Sequence, residues 1–191
     1  MLLLIAVLSG FFLAPFAPVI HRALGRFSGW AIAVLPASLA ALFLLLAGRG
    51  DGVVVESHVW APGLGANLDL RLDGLSLLMA TLIAGIGAAI FVYAGGYLAG
   101  HRHLGRIYAY LLMFMGSMLG VVLADNLIVL FVFWELTSIS SYLLIGFEHA
   151  DAKARKSALQ ALLVTGLGGL AILAGALLLG SAAGEMRISQ L

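Results

Sequence analysis

One acidic side chain in this 191-residue sequence stands where its presence needs a chemical reason. Glu135 lies within NLIVLFVFWELTSISSYLLIGF, nine residues after the apolar run opens at Asn126 and twelve before it closes at Phe147. A charged side chain at the centre of a membrane helix costs ~2.5–3.5 kcal/mol on insertion scales, so such residues are kept mainly where they face a protein interior or a wet cavity. The chemistry an isolated carboxyl offers at that depth is holding and releasing a proton. Ser138 and Tyr142 follow at i+3 and i+7, on nearly the same helical face, and Thr137, Ser140 and Ser141 add further hydroxyls. Hydroxyls donate and accept, so they could pass a proton along or order water beside the carboxyl. Two plainer readings stay open: the hydroxyls glue this helix to its neighbours, and Glu135 is a neutral structural donor. An ammonium nearby would favour the ionised form and apolar surroundings the neutral one. No lysine or arginine falls inside any of the apolar runs, so a cationic partner would have to come from elsewhere.

The elements that must position this residue are membrane helices. Hydrophobic residues make up 63% of the chain, charged residues 10%, and the mean hydropathy is +1.13. A soluble domain has no interior large enough for that much apolar surface. A bilayer core of ~30 Å takes roughly 20 apolar residues per helix, and six runs of that length occur. The expected fold is an all-α integral membrane protein of about six transmembrane helices, a single membrane domain over residues 1–191. The predicted spans are 2–20, 29–47, 75–98, 107–124, 127–147 and 158–180. The first run lacks the basic n-region of a signal peptide and outruns its apolar segment, so it reads as a retained span. Pro15, Pro18 and Pro36 predict bends, which bundles tolerate.

The connections fall into two alternating sets. Arg22, Arg26, Arg102, Arg106, Lys153, Arg155 and Lys156 share one side, seven of the ten basic residues. The other side holds Arg49, Arg71 and Arg187 with Asp51, Glu56, Asp69, Asp73, Asp125 and Glu185. The positive-inside rule then puts the first set in the cytoplasm and the N-terminus outside. One external connection is long, between the second and third spans. In it VVVESHVW and the strictly alternating NLDLRLD, with Leu68, Leu70 and Leu72 on one face, flank the turn-forming APGLG. A short β-hairpin is expected there, with an irregular loop as the alternative. Gly116 and Gly120 make a G-x-x-x-G, and Gly166, Gly168 and Gly169 crowd the last span. Such glycines allow close helix packing, either within the chain or against another subunit.

Composition also excludes classes of function. Without cysteine there are no disulfides, iron–sulfur ligands or thiol nucleophiles. A net charge of +1 gives no electrostatic case for nucleic acid. No metal or cofactor site is expected, and no nucleophile–base–acid set for an enzyme comes together.

At these residues the sequence resembles a known family. RLDGLSLLMATLIAGIGAAIFVYAGGYL, LLMFMGSMLGVVLADNLIVLFVFWELTSISSYLLIGF and the glycine-rich last span look like the large A subunit of Mrp-type multisubunit sodium/proton antiporters. That subunit is similar in turn to the antiporter-like membrane subunits of complex I. The likeness covers roughly residues 70–179 and is weaker before. It implies sodium/proton antiport in a plasma-membrane complex with other membrane subunits, moving protons and sodium. It further implies that Glu135 matches the family's fifth-helix glutamate, which takes part in proton translocation with a lysine on a later helix. Asp73 and Asp125–Asn126 match recurring positions too, and here read as helix-capping and loop-ordering. Family members are several times longer, so the chain is expected to be the N-terminal part of a subunit, with a naturally split subunit as the alternative. The alternative function is a proton-pumping membrane subunit of a complex I-like or membrane-bound hydrogenase redox complex.

Overall fold

The structure, a computed structural model, describes residues 1–49, 52–61, 63 and 66–191, and only the backbone of Arg49. Its helices are α1 (Leu2–Leu13), α2 (Ala17–Leu24), α3 (Ser28–Arg49), α4 (Gly74–Tyr97), α5 (Leu104–Leu123), α6 (Leu127–Ile145) and α7 (Ala152–Ala183). Two strands, β1 (Val54–Ala61) and β2 (Ala66–Leu72), lie between α3 and α4.

Among the described residues, five helical runs are long and apolar enough to cross a membrane, and the first, Leu2–Gly48, has 47 residues. At 1.5 Å per residue that is ~70 Å, over twice a bilayer core, unless it folds back. It does so at Gly25, whose φ of +52° an L side chain rarely adopts. Its two limbs, α1–α2 and α3, therefore run in opposite directions. Leu3 and Leu4 in α1 donate to the Glu56 carboxylate on the hairpin, whereas Gly29 at the start of α3 packs at the far end against Phe91 and Gly95 of α4. Pro15 and Pro18 sit at the starts of a 3-10 turn (Ala14–Phe16) and of α2, where no helical N–H is needed from them. Pro36 lies inside α3.

Local signals set the other helix starts. Asp73 and Ser76 form a reciprocal capping box on α4. The Asn126 side chain accepts from the Ile128 and Val129 amides of α6, and Asp151 accepts from Lys153 at the head of α7. That last cap starts α7 at Ala152 and Gly184, at a φ of +71°, ends it after Ala183, so the helix outruns the predicted span 158–180 at both ends.

α5 is the hub. It contacts α1, α2, α4 and α6, whereas α7 packs chiefly against α6 among the described residues. Half of the most apolar stretch of α5 is buried, against 11% for α7. Glycine makes these crossings close: a Cβ on Gly10 would lie 2.6 Å from the Leu112 carbonyl, and one on Gly105 would lie 2.7 Å from Pro18. Gly116 faces Val7 and Phe11 of α1, while Gly120 faces the Phe133 ring of α6. The G-x-x-x-G thus serves two packings within the chain. Without a hydrophobic force between helices in lipid, such contact supplies the association energy.

The long connection is the hairpin. β1 and β2 pair antiparallel, with Val54 opposite Leu72, Glu56 opposite Leu70 and His58 opposite Leu68. Leu70 and Leu72 are buried and Leu68 packs partly against the core, as the alternation predicts. The predicted APGLG turn lies largely outside the described residues. The segment after α7 returns to this end. Leu127 donates to the Met186 carbonyl and Ile188 to the Asp125 carbonyl, while single bridges join Leu70 to Ala124 and Asn126 to Arg187. The end opposite the hairpin carries the seven basic residues of the first set, and there His101 meets Glu148 at 2.8 Å.

Candidate functional site

Helix α6 fixes where Glu135 points. Phe133, 5% exposed, fits its ring against Gly120 of α5 and so commits that side of α6 to the hub. Two residues on, about 200° around the helix, Glu135 faces the other way, toward α7. It sits roughly 12 Å from the hairpin end of α6 and about 15 Å from the other end, by helical rise. Its side chain is half-buried, and Oε1 is out of contact with solvent and has no hydrogen-bond partner among the described residues. The surface it lies on is Gly169 of α7.

The hydroxyls are near but differently engaged. Thr137 donates to the Trp134 carbonyl at 2.6 Å, and Ser138, which is buried, donates to the same oxygen at 3.3 Å. Ser140 donates to the Leu136 and Thr137 carbonyls. These are bonds back to the helix's own previous turn, the habitual resting state of Ser and Thr in a helix. Ser141 and Tyr142 are half-buried one to two turns farther toward the basic end.

A second polar group, at the hairpin end, was not assembled by sequence reasoning. Asp69, 2% exposed, accepts from Arg187 at 3.1 Å, from the Ser57 hydroxyl and from the Asn126 amide at 3.4 Å. Asp125, also 2% exposed, accepts from the Ser189 amide and hydroxyl at 2.9 and 2.7 Å. The group ties the hairpin, the α5–α6 turn and the segment after α7 into one cap. The only signal in the sequence was Asp69's place opposite the leucines in the alternation. Beside it, a recess of about 440 Å³ has Arg71, Asp73, Ser76, Asp125 and Ser189 in its lining, together with apolar residues that include Leu75, Met79 and Val122. The Ser76 amide, then its hydroxyl, hold the Asp73 carboxyl below the ordinary carboxylate value, and Arg71 adds to the effect. Among the described residues no cluster of three or more His, Cys, Asp or Glu side chains could hold a metal.

A bundle of membrane-length apolar helices with one carboxyl between two of them is a multi-pass membrane protein. Residues 124–191 match the family described as NADH:quinone oxidoreductase/Mrp antiporter, TM, and residues 60–108 match NADH-Ubiquinone oxidoreductase (complex I), chain 5 N-terminus. The chain belongs to this complex I/Mrp antiporter family of membrane subunits. It is similar over its whole length to the Na(+)/H(+) antiporter subunit A1 of Staphylococcus haemolyticus, at 42% identity over 193 residues, covering 24% of that protein. The Staphylococcus aureus (strain JH9) subunit A1 is also 42% identical, over 93% of this chain and 23% of its own length. The chain thus spans about a quarter of the length of the curated relatives it matches. Among solved structures, 99% of the chain superposes on 20% of a chain of the Mrp complex from Dietzia sp. DQ12-45-1b, with a TM-score of 0.87 and 36% identity. A chain of an archaeal membrane-bound sulfane sulfur reductase shares the fold, at a TM-score of 0.76 and 16% identity, over 97% of this chain and 38% of its own.

Proposed function

We propose that this chain is the N-terminal membrane domain of an A-type subunit of a multisubunit sodium/proton antiporter, and that Glu135 is a proton-relay site within it. The observation that carries the reading is Glu135 Oε1, enclosed between α6 and α7 with no hydrogen-bond partner among the described residues, in a chain 42% identical to antiporter subunits. A carboxyl held so has a use if it is to change its proton rather than to tie helices together. Ser138 and Tyr142, with Thr137 and Ser141, lie on the turns leading from it toward the basic end. Their hydroxyls can turn from the helix carbonyls to carry a proton onward. With no lysine or arginine within residues 127–147 or 158–180, the cationic neighbour that drives proton release comes from outside this chain. Protons and sodium are the transported ions, other membrane subunits and the lipid bilayer the partners, and the chain itself catalyses no chemical conversion. The basic end faces the cytoplasm and the hairpin end and N-terminus face outward, in the cell's inner or plasma membrane.

The redox-complex alternative is the weaker reading, because the relatives at 42% identity are antiporter subunits, whereas the reductase likeness at 16% speaks to fold alone. The test is antiport in everted vesicles carrying the complete complex. Glu135→Ala and Glu135→Gln are expected to lose at least about tenfold in rate with normal membrane levels. Wild-type rates in both variants would remove Glu135 from the mechanism.

A further inference from the structure

The last span carries three clustered glycines, and the site uses one of them. A Cβ added to Gly166 or Gly168 would meet nothing within 4 Å. One added to Gly169 would collide with Glu135 Oε1 and lie 2.9 Å from the Glu135 carboxyl carbon, while its next neighbour, Trp134 Cδ1, would be at 3.6 Å, an ordinary contact. Gly169 is buried in the middle of α7, with regular helix on both sides. The missing side chain is therefore a notch in the surface of α7, filled by the carboxyl group and by little else.

From this we infer that Gly169 is a positioning residue for Glu135: the bare α7 backbone sets where the relay carboxyl rests and on which side it can meet a proton donor or a cation. The inference rests on Glu135 being a relay. Two physical points carry it. The atoms that a methyl at 169 would strike are the far end of a flexible side chain, so the carboxyl gives way and the helices need not. The carboxyl carbon would have to retreat from 2.9 Å to about 3.5 Å, the closest comfortable carbon–carbon contact, and Oε1 farther still. Proton transfer depends steeply on such distances, and a ~1 Å misplacement of a reacting group can cost ~10²-fold in rate. Gly169→Ala thus moves the acid without removing it.

The experiment measures antiport in everted vesicles containing the complete complex, across a pH series. It uses Gly169→Ala, Gly168→Ala, Glu135→Gln, Glu135→Asp and the double variant Glu135→Asp/Gly169→Ala. Gly169→Ala should assemble normally, lose at least about tenfold in rate and shift the half-maximal pH, while Gly168→Ala matches wild type. Aspartate is one methylene shorter and withdraws the carboxyl from the notch. The double variant should therefore match Glu135→Asp alone, a non-additivity that marks direct contact. Four results overturn the inference. Gly169→Ala within twofold of wild type, while Glu135→Gln is inactive, would leave the relay standing and remove the notch. An equal further loss in both backgrounds would show that Gly169 acts through helix packing. Failure of Gly169→Ala to assemble, when Gly168→Ala does, would mean that the helices yield and not the carboxyl. An active Glu135→Gln would take away the relay itself.

Discussion

Replacing Arg187 by alanine would test whether the polar group at the hairpin end holds the cap together. The change leaves the Asp69 carboxylate, 2% exposed, without the one cation that pairs with it among the described residues. Breaking a fully buried pair costs ~3–5 kcal/mol, because the remaining charge is stranded. Here the figure falls, since the Arg187 side chain is 30% exposed and Ser57 and Asn126 still donate to Asp69. About 2 kcal/mol remains. For a chain of this length 1 kcal/mol moves the melting temperature by roughly 2–4 °C. Arg187→Ala should therefore melt roughly 4–8 °C below wild type when the detergent-solubilised protein is followed by tryptophan fluorescence. Adding Asp69→Asn to that variant removes the stranded charge and should recover part of the loss. A melting temperature for Arg187→Ala within about a degree of wild type, inside the spread expected of an ordinary surface change, would refute the reasoning. The ion pair would then be ornamental and the cap held by its other hydrogen bonds, among them those of Ser57 and Asn126 to Asp69 and of Ser189 to Asp125.

Two further outcomes follow from local geometry. Asp73→Ala should cost about 1 kcal/mol through the lost α4 cap. Because the folded carboxyl titrates below its ordinary 3.8, that contribution is complete above the unfolded value and is lost as pH falls through the folded one. Melting curves of wild type and Asp73→Ala should thus differ at neutral pH and converge below about pH 3.8. Gly10→Ala drives a Cβ to 2.6 Å from the Leu112 carbonyl of α5 and should destabilise by ~1–3 kcal/mol. Gly85→Ala, with nothing within 4 Å, should be neutral or up to about 1 kcal/mol stabilising; equal melting temperatures for the two would argue against the close α1–α5 crossing.

The capping residues were legible because they act within one turn. Asp73 followed three residues later by Ser76, and Asn126 before an apolar run, carry their partners with them in the sequence. The hairpin was legible for a similar reason: strand alternation at Leu68, Leu70 and Leu72 is a period-two signal readable from a few residues. Alternation alone said nothing about what covers the opposite face, and Asp69 was placed only as one of the charges of the external connections. Its cover comes from Arg187, 118 residues away. The hydroxyls beside Glu135 were legible as residue types, but their bonds back to the Trp134 and Leu136 carbonyls depend on rotamers that composition does not specify.

The sequence by itself determined that this protein lives in a bilayer, how its apolar runs alternate with basic and acidic connections, and that one carboxyl lies at mid-helix depth. These are properties of length, hydrophobicity and local period, and each is complete within about twenty residues. Only the tertiary structure decided that α5 is the hub and that Glu135 rests on Gly169 and not on either neighbouring glycine. Helix crossings explain the division. Which residues meet across two helices depends on their relative rotation and axial offset, set by packing over the whole contact and written in neither helix alone.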